Sequence, residues 1–244
     1  MLTPEEKKRY ARQTVIPEIG EGGQEKLKTA KVLVAGAGGL GSISAFYLAA
    51  AGIGTITIVD NEIVETSNLN RQIIHTTADI GALKTESARE KLTRLNPYAN
   101  IVTVPEKITK DTVQDMVNGI DVIVDATDNF TVRRILNRAS LCNNIPFIYG
   151  GVNGFTGMLS TFIPGTTACF ECVYRESLAG DTKVGVVGPL PGIIASMQTL
   201  DAVKLLLDVG TPCANRLLYV SGIDLRIKEI AIKKDPQCDA CKKR

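Results

Sequence analysis

Short apolar runs and longer helix-like segments alternate through the first 150 residues of the chain. The runs are rich in β-branched side chains, which is typical of buried strands. Helices are predicted between them, one ending near Ala51 and others at about 84–95 and 131–143. This alternation predicts a mostly parallel sheet with helices on both faces. The predicted strands are 32–35, 55–59, 101–104, 121–125 and 147–149.

The pattern changes after Gly150. Residues 154–163 form glycine-broken apolar runs with short connections, which predicts antiparallel strands. A helix at about 193–208 and strands at 217–220 and 226–232 are predicted to follow. We therefore expect a single α/β domain over residues 1–244, with a Rossmann-like doubly wound sheet that antiparallel strands extend. Its first half spans about 28–150 and its second half about 151–244.

A glycine-rich turn joins the first predicted strand to the next helix. Its sequence, GAGGLG at 36–41, has the GxGxxG spacing, and in this strand-to-helix context the motif predicts a phosphate or ribose site. Asp60 ends the second strand about 20 residues later, where a carboxylate can bind ribose hydroxyls. The first half is therefore interpreted as nucleotide-binding, and an NAD or FAD fingerprint shares these features.

Polar segments follow other predicted strands. Residues 68–72 (NLNRQ) come after the second strand, Lys84 opens the next helix, and residues 127–129 (TDN) come after the fourth strand. Loops after parallel strands share the carboxyl edge where ligands bind. A lysine, an arginine and an aspartate at that edge suit a triphosphate with Mg²⁺ better than a nicotinamide, because hydride transfer has no pyrophosphate leaving group to stabilise. Asp128 could instead cap the following helix.

Ordered motifs along nearly the whole chain resemble the E1-like family of MoeB, ThiF and HesA adenylyltransferases. They are RYARQ at 9–13, GAGGLG at 36–41, Asp60, SNLNRQ at 67–72, GALK at 81–84, NP at 96–97 and TDN at 127–129. The resemblance implies that Asp128 holds Mg²⁺ and that Arg12 reaches into the site of the partner subunit of a homodimer. It implies a catalytic set of Arg12, Arg71, Lys84 and Asp128. The candidate ATP-binding residues are Gly36, Gly38, Gly39, Gly41, Asp60, Ser67, Asn68, Leu69, Asn70, Arg71, Gln72, Lys84, Asp128 and Asn129.

The resemblance also implies the reaction, which is ATP-dependent adenylation of the C-terminal glycine carboxylate of a small ubiquitin-like (β-grasp) sulfur carrier protein, with release of pyrophosphate. A carboxyl group with a pKa of about 3.5 is already ionised at neutral pH, so no general base is needed. The one histidine, His75, is accordingly expected to be structural. Several carriers ending in Gly-Gly, from the molybdopterin, thiamine or related pathways, remain open.

Four of the six cysteines form two CxxC pairs, Cys169/Cys172 and Cys238/Cys241. This spacing predicts a closed, structural Cys₄ zinc site that ties the C-terminal tail to the middle of the chain. Redox activity is the alternative, although neither pair opens a helix after a thioredoxin-like strand.

Relatives in the family often carry a reactive cysteine in a crossover loop. The corresponding segment here, 178–189, has none. Covalent thiol catalysis from this loop is therefore not expected, and sulfur would come from another protein, such as a sulfurtransferase. Cys142 is expected to be a small buried hydrophobe in a helix. Cys213 follows Pro212 in a predicted loop, where it could be exposed.

Composition narrows the choice of partners. Hydrophobic residues make up 44% and charged residues 22% of the chain, and the formal net charge is +2. This near balance argues against a nucleic-acid binder. The charged N-terminal residues do not resemble a secretory signal, and the apolar stretch at 43–53 is shorter than the about 20 residues that span a bilayer, so a cytoplasmic protein is expected. Three alternatives remain: an NAD-dependent oxidoreductase, an enzyme that adenylates a carboxylate on a tRNA base, and a non-catalytic scaffold.

Overall fold

The computed structural model describes residues 1–175 and 185–242. Its strands, in chain order, are β1 (Lys31–Ala35), β2 (Thr55–Val59), β3 (Asn100–Val104), β4 (Val122–Asp125), β5 (Phe147–Asn153), β6 (Thr156–Phe162), β7 (Arg216–Ser221) and β8 (Arg226–Ala231). They form one sheet in the order β3-β2-β1-β4-β5-β6-β7-β8. Neighbours from β3 to β5 are parallel, and those from β5 to β8 are antiparallel. The expected parallel sheet with an antiparallel extension is confirmed.

Helices cover both faces of the parallel strands. The α-helices are α1 (Pro4–Arg9), α2 (Ala11–Thr14), α3 (Gly20–Thr29), α4 (Gly39–Ala51), α5 (Lys84–Leu95), α6 (Val113–Met116), α7 (Phe130–Asn143), α8 (Phe170–Val173) and α9 (Pro189–Leu207). Side chains of β1 alternate between two cores, as the two-residue period of a strand requires. Val32 and Val34 pack with residues of α4 and α9, whereas Leu33 and Ala35 pack with residues of α6 and α7.

Strand β5 is longer than the sequence pattern indicates, and its antiparallel pairing with β6 begins at Phe147 rather than after Gly150. β5 continues through Gly150 to Asn153 and pairs with all of β6. Position 150 requires a glycine because Gln198 of α9 occupies the space that a side chain would need. An added Cβ would come within 2.6 Å of the Gln198 amide. Strand β5 therefore crosses the predicted boundary at residue 150. The two halves are a division of the sequence pattern and do not coincide with the ends of a strand.

Helix α9 is the longest apolar segment of the described chain, and it begins at Pro189 rather than near residue 193. Its 19 residues, with a mean hydropathy of 1.3, are by length and composition sufficient to cross a membrane. Half of the α9 window is buried inside the protein, and the helix packs against α4, β5 and β6, which is the environment of a core helix.

A buried ion pair joins β4, α7 and β5 near the carboxyl edge of the sheet. Nε of Arg133 donates to Asp125 at 3.1 Å, and the Asp125 side chain is fully buried. The Arg133 guanidinium also donates to the carbonyl oxygens of Thr127 and Gly150 and lies 5.0 Å from the centre of the Tyr149 ring. Burial raises the pKa of Asp125, and the arginine opposes that shift. This ion pair fixes the loop that follows β4.

Replacing Arg133 with methionine should destabilise the protein by about 3–5 kcal/mol, because Asp125 would be left buried without a counter-charge. Urea unfolding monitored by circular dichroism measures this loss. Arg89→Met is the matched control: its ion pair with Glu86 is exposed, so we expect a change below about 1 kcal/mol. Equal losses in the two variants would contradict a special role for the buried pair.

Candidate functional site

The glycines between β1 and α4 differ in the reason why each is a glycine. Gly36 has φ +102°, and an added Cβ would lie 2.7 Å from the carbonyl oxygen of Ala126. A Cβ on Gly41 would lie 1.9 Å from the Gly36 carbonyl oxygen. Packing within the chain therefore accounts for both. Around Gly38 the nearest side-chain atom would be 3.7 Å away, in Gln72, so this glycine leaves open space that the fold itself does not require.

Unsatisfied polar groups surround that open space. Gly38 is the N-cap of α4, and among the described residues no side chain caps this helix. Its first amide groups are therefore available to an anion, which the helix dipole also favours. The side chain of Gln72 is buried beside Gly38, and its Oε1 has no hydrogen-bond partner within residues 1–175 and 185–242. Buried polar atoms are rarely left unpaired, so this arrangement fits a bound ligand.

Asp60 connects the glycine turn to the segment after β2. Its Oδ2 accepts from the amide of Ala37 at 2.8 Å, and its Oδ1 accepts from the amide of Glu62 at 2.8 Å. Burial raises the pKa of this carboxyl group, and the two amide hydrogen bonds and the charge of Lys84 oppose the shift. An ionised carboxylate can accept further hydrogen bonds at its remaining lone pairs, as binding to a ribose would require.

The segment after β2 turns back over the glycine turn. A short 3₁₀ helix at Thr66–Asn68 is held by Asn68, whose side chain accepts from the Glu65 amide at 3.1 Å. Arg71 packs over the turn, since its Cγ lies 3.5 Å from where a Gly39 Cβ would be. Its guanidinium donates to the Ser67 carbonyl and the Asn70 side chain, both at 3.0 Å. The other members of the candidate set here are the exposed Ser67 and Asn70 and the half-buried Leu69.

Lys84 is a buried cation at the first residue of α5. Its side chain is only 3% exposed, and its ammonium forms an ion pair with Glu62, whose side chain is 66% exposed. The Lys84 amide donates to the Glu62 carbonyl at 2.9 Å. Because Glu62 is also bonded to Asp60, the lysine is brought next to the candidate ribose-binding carboxylate. Glu62 was not among the expected site residues, although its place two residues after Asp60 could have indicated it.

The segment after β4 presents Asp128 to solvent. Asn129, and not Asp128, caps α7: its Oδ1 accepts from the amides of Thr131 and Val132 at 2.8 and 3.1 Å. The alternative that Asp128 is the helix cap is therefore wrong, and its carboxylate is free of that structural duty. The helix-capping role of Asn129 is sufficient to explain an asparagine at this position. The preceding Thr127 is fixed through hydrogen bonds to Asp125 and Arg133.

Arg12 lies far from the glycine turn of its own chain. It is exposed on α2, and its neighbour Gln13 donates to the carbonyl oxygen of Ala51 at 3.0 Å. Ala51 ends α4, whereas the glycine turn precedes its first residue, Gly39. At about 1.5 Å per residue the two ends of this helix are about 18 Å apart. Of the expected catalytic residues, Arg71, Lys84 and Asp128 lie at the carboxyl edge of the sheet, and Arg12 does not.

His75 is buried and engaged in the core. Its Nδ1 lies 2.8 Å from the Ser87 hydroxyl and its Nε2 lies 3.2 Å from the Ala37 carbonyl oxygen. Burial lowers the pKa of this histidine, which favours the neutral ring. These contacts bind the segment after β2 to the glycine turn, so the expectation of a structural histidine is confirmed.

Arg133 was not identified from the sequence as a residue that supports the site. Its sequence context, a helix, gives no sign that it pairs with a buried carboxylate.

The four cysteines of the two CxxC pairs come together. Their Sγ atoms all lie within 4.8 Å of one another. Cys169 is 3.7 Å from both Cys172 and Cys238, and Cys172 is 3.5 Å from Cys241. A tetrahedral metal site with bonds of about 2.3 Å has sulfur atoms about 3.8 Å apart, so these thiols fit one metal ion. The cluster ties the C-terminal tail to the beginning of α8.

The two remaining cysteines are placed opposite to expectation. Cys142 lies in α7 but is exposed, because it follows the exposed Arg138 by one helical turn. Cys213 is buried, with its amide donating to Asp201 at 2.6 Å. Burial raises the pKa of the Cys213 thiol to about 11, which makes it a poor nucleophile at neutral pH. The crossover segment at 178–189 lies largely outside the described residues.

Solved structures with the same fold are known. A crystal structure of Escherichia coli MccB with MccA superposes with a TM-score of 0.87 at 25% identity, covering 99% of this chain and 75% of that chain. PaaA superposes with a TM-score of 0.82 at 27% identity, covering 96% of this chain and 76% of that chain.

Sequence comparisons identify close relatives. A Haloferax volcanii protein described as a SAMP-activating enzyme E1 is 37% identical over 238 residues, which cover 96% of this chain and 88% of the relative. The sulfur carrier protein ThiS adenylyltransferase of Escherichia coli is 35% identical over 237 residues, which cover 96% of this chain and 94% of the relative. The profile of the ThiF family matches residues 10–240, and the chain belongs to that family.

Proposed function

We propose that this protein uses ATP to adenylate the C-terminal carboxylate of a small ubiquitin-like sulfur carrier protein, releasing pyrophosphate. One observation carries the proposal. At the N-terminus of α4, Gly38 has open space around it, and the buried side-chain amide of Gln72 has an oxygen with no partner within residues 1–175 and 185–242. Asp60, Arg71 and Lys84 lie beside these two residues. The names of the relatives support it, since they describe adenylyltransferases of sulfur carriers. They do not favour an oxidoreductase or a tRNA-modifying enzyme.

The chemistry requires cations because two anions must meet. Each like-charge pair at about 4 Å costs about 4 kcal/mol at an effective dielectric of 20. Arg71 and Lys84 would bind the phosphates and stabilise the charge that develops on pyrophosphate. The α4 amides and Asp60 would orient the phosphates and the ribose. Asp128 would hold Mg²⁺, which when bound supplies further positive charge to the phosphates.

The carrier would enter as an already ionised carboxylate. No residue of the chain is needed to remove a proton, and this agrees with a histidine that is buried and hydrogen-bonded. With Cys213 buried and Cys142 the remaining thiol outside the cluster, we propose that the reaction ends at the acyl adenylate. Sulfur would then come from a separate sulfurtransferase, and the reaction would take place in the cytoplasm.

ATP–pyrophosphate exchange with candidate carriers tests the function. We expect exchange with at least one Gly-Gly-ended carrier and none with the same carrier lacking its terminal glycine.

Asp128→Ala should lower exchange by at least about 100-fold while the circular dichroism spectrum is retained, because the exposed carboxylate does not cap the following helix. Asp111→Ala, at another exposed acid, is the control and should exchange normally. Near-normal exchange by Asp128→Ala would refute its assignment.

We further propose that Arg12 completes the site of a partner subunit in a homodimer. The supporting observation is its distance from the glycine turn of its own chain. Arg12→Ala and Lys84→Ala should each abolish exchange alone. A one-to-one mixture of the two variants should regain about a quarter of normal activity, because about half of all dimers are mixed and each mixed dimer has one intact site out of two. Failure of mixing to restore exchange would exclude a shared site.

We propose zinc as the ion in the cysteine cluster, with a structural role because four thiolates leave no open coordination position. Cys238→Ser should reduce bound zinc from about one ion per chain to near zero and expose residues 233–242 to limited proteolysis. Metal analysis by mass spectrometry measures the first effect. Cys142→Ser, at an exposed cysteine outside the cluster, should retain the metal. Loss of zinc from both variants, or from neither, would contradict the assignment.

A further inference from the structure

The ion pair between Lys84 and Glu62 joins a buried cation to an exposed anion. The lysine side chain is 3% exposed and the glutamate side chain is 66% exposed. Most ion pairs at protein surfaces contribute little to the free energy of unfolding, because water stabilises both charges when they separate. Water can do this for the glutamate here, but it has little access to the lysine. The stability of the charged lysine therefore depends on an acceptor that can itself leave.

The position of Lys84 in its helix increases this dependence. Lys84 is the first residue of α5, a helix of 12 residues. The N-terminal end of a helix carries partial positive charge, so a cation there is disfavoured and a nearby anion is favoured. Both burial and the helix dipole thus require a negative group at the position that the Glu62 carboxylate occupies. A phosphate group would satisfy the same requirement.

The backbone around Glu62 is fixed independently of its side chain. Its amide donates to Asp60 Oδ1 at 2.8 Å, and its carbonyl accepts from the Lys84 amide at 2.9 Å. An open cavity of about 290 Å³ adjoins Glu62, and its lining also includes Asn61, Ile63, Glu65 and Asn68. The carboxylate can therefore swing away from the lysine into open space while Asp60 and Lys84 stay in place.

We propose that Glu62 holds the Lys84 ammonium in the nucleotide-free protein and is displaced from it by the phosphates of the nucleotide. Glu62 is then a positioning residue that holds and orients the Lys84 side chain at a cost in nucleotide affinity. The inference rests on the proposed function, because it requires that Lys84 binds phosphate. It predicts an effect that depends on the phosphates of the ligand and not on its nucleoside.

Glu62→Gln tests the inference because it removes the charge and leaves the backbone bonds of residue 62 in place. The dissociation constant for ATP, measured by titration calorimetry, should fall about fivefold, since the phosphates no longer compete with a carboxylate. The dissociation constant for adenosine should not change. In exchange assays the KM for ATP should fall while kcat is retained. A purely structural role for Glu62 would alter both ligands alike.

Glu90→Gln provides the matched control. Glu90 lies on the same helix as Lys84 and pairs with Arg94 at 2.7 Å, so its loss should leave both dissociation constants unchanged. If Glu62→Gln binds ATP with unchanged or weaker affinity, the inference is overturned even though the wild-type enzyme binds and exchanges ATP. If the wild-type protein does not bind ATP, the proposed function fails as well. The two failures are therefore distinguishable.

Discussion

The cost of burying charge governs the carboxyl edge of this sheet. Asp125 is fully buried and Lys84 nearly so, and neither is tolerable without a partner of opposite charge. Their partners are of two kinds. Arg133 is itself buried and bonded to two carbonyl oxygens, so that pair is permanent and fixes the loops around it. Glu62 is exposed and replaceable. One edge of the sheet thus combines a rigid support with an exchangeable contact.

The rigid support reaches the cysteine cluster through aromatic side chains. The Arg133 guanidinium lies on the ring of Tyr149, whose hydroxyl accepts from that of Tyr174 at 3.3 Å. The Tyr174 ring packs on Phe170 with centroids 4.8 Å apart, and Phe170 follows directly after Cys169. A closed metal site at this point would restrict α8, and through these rings it would restrict the loop that carries Asp128. A structural metal can therefore matter to the site without touching a substrate.

Much of the fold was predictable from periodicity, since strand and helix patterns depend on local burial. Helix α5 was predicted with its observed bounds, Lys84–Leu95. The extent of β5 was not, because Gly150 suggests an end to a strand when only its neighbours in sequence are considered. The glycine at position 150 is there because of packing against Gln198, which is distant in sequence. The exposure of Cys142 and the burial of Cys213 were predicted wrongly for the same reason: each depends on tertiary neighbours.

The glycine motif shows how far a sequence pattern can carry a function. The three glycines of GxGxxG, at 36, 38 and 41, satisfy the motif equally, yet Gly36 and Gly41 would be required by packing in a protein that bound nothing. The evidence for a ligand comes from Gly38, which has space around it, and from the buried side chain of Gln72 next to Gly38, whose Oε1 has no partner among the described residues. A motif of this kind indicates a site only where the structure leaves groups without partners. Here the groups that the described part of the chain leaves unpaired include the amides at the N-terminus of α4, which favour an anion. The phosphate-binding role proposed above would use the open space that packing does not require.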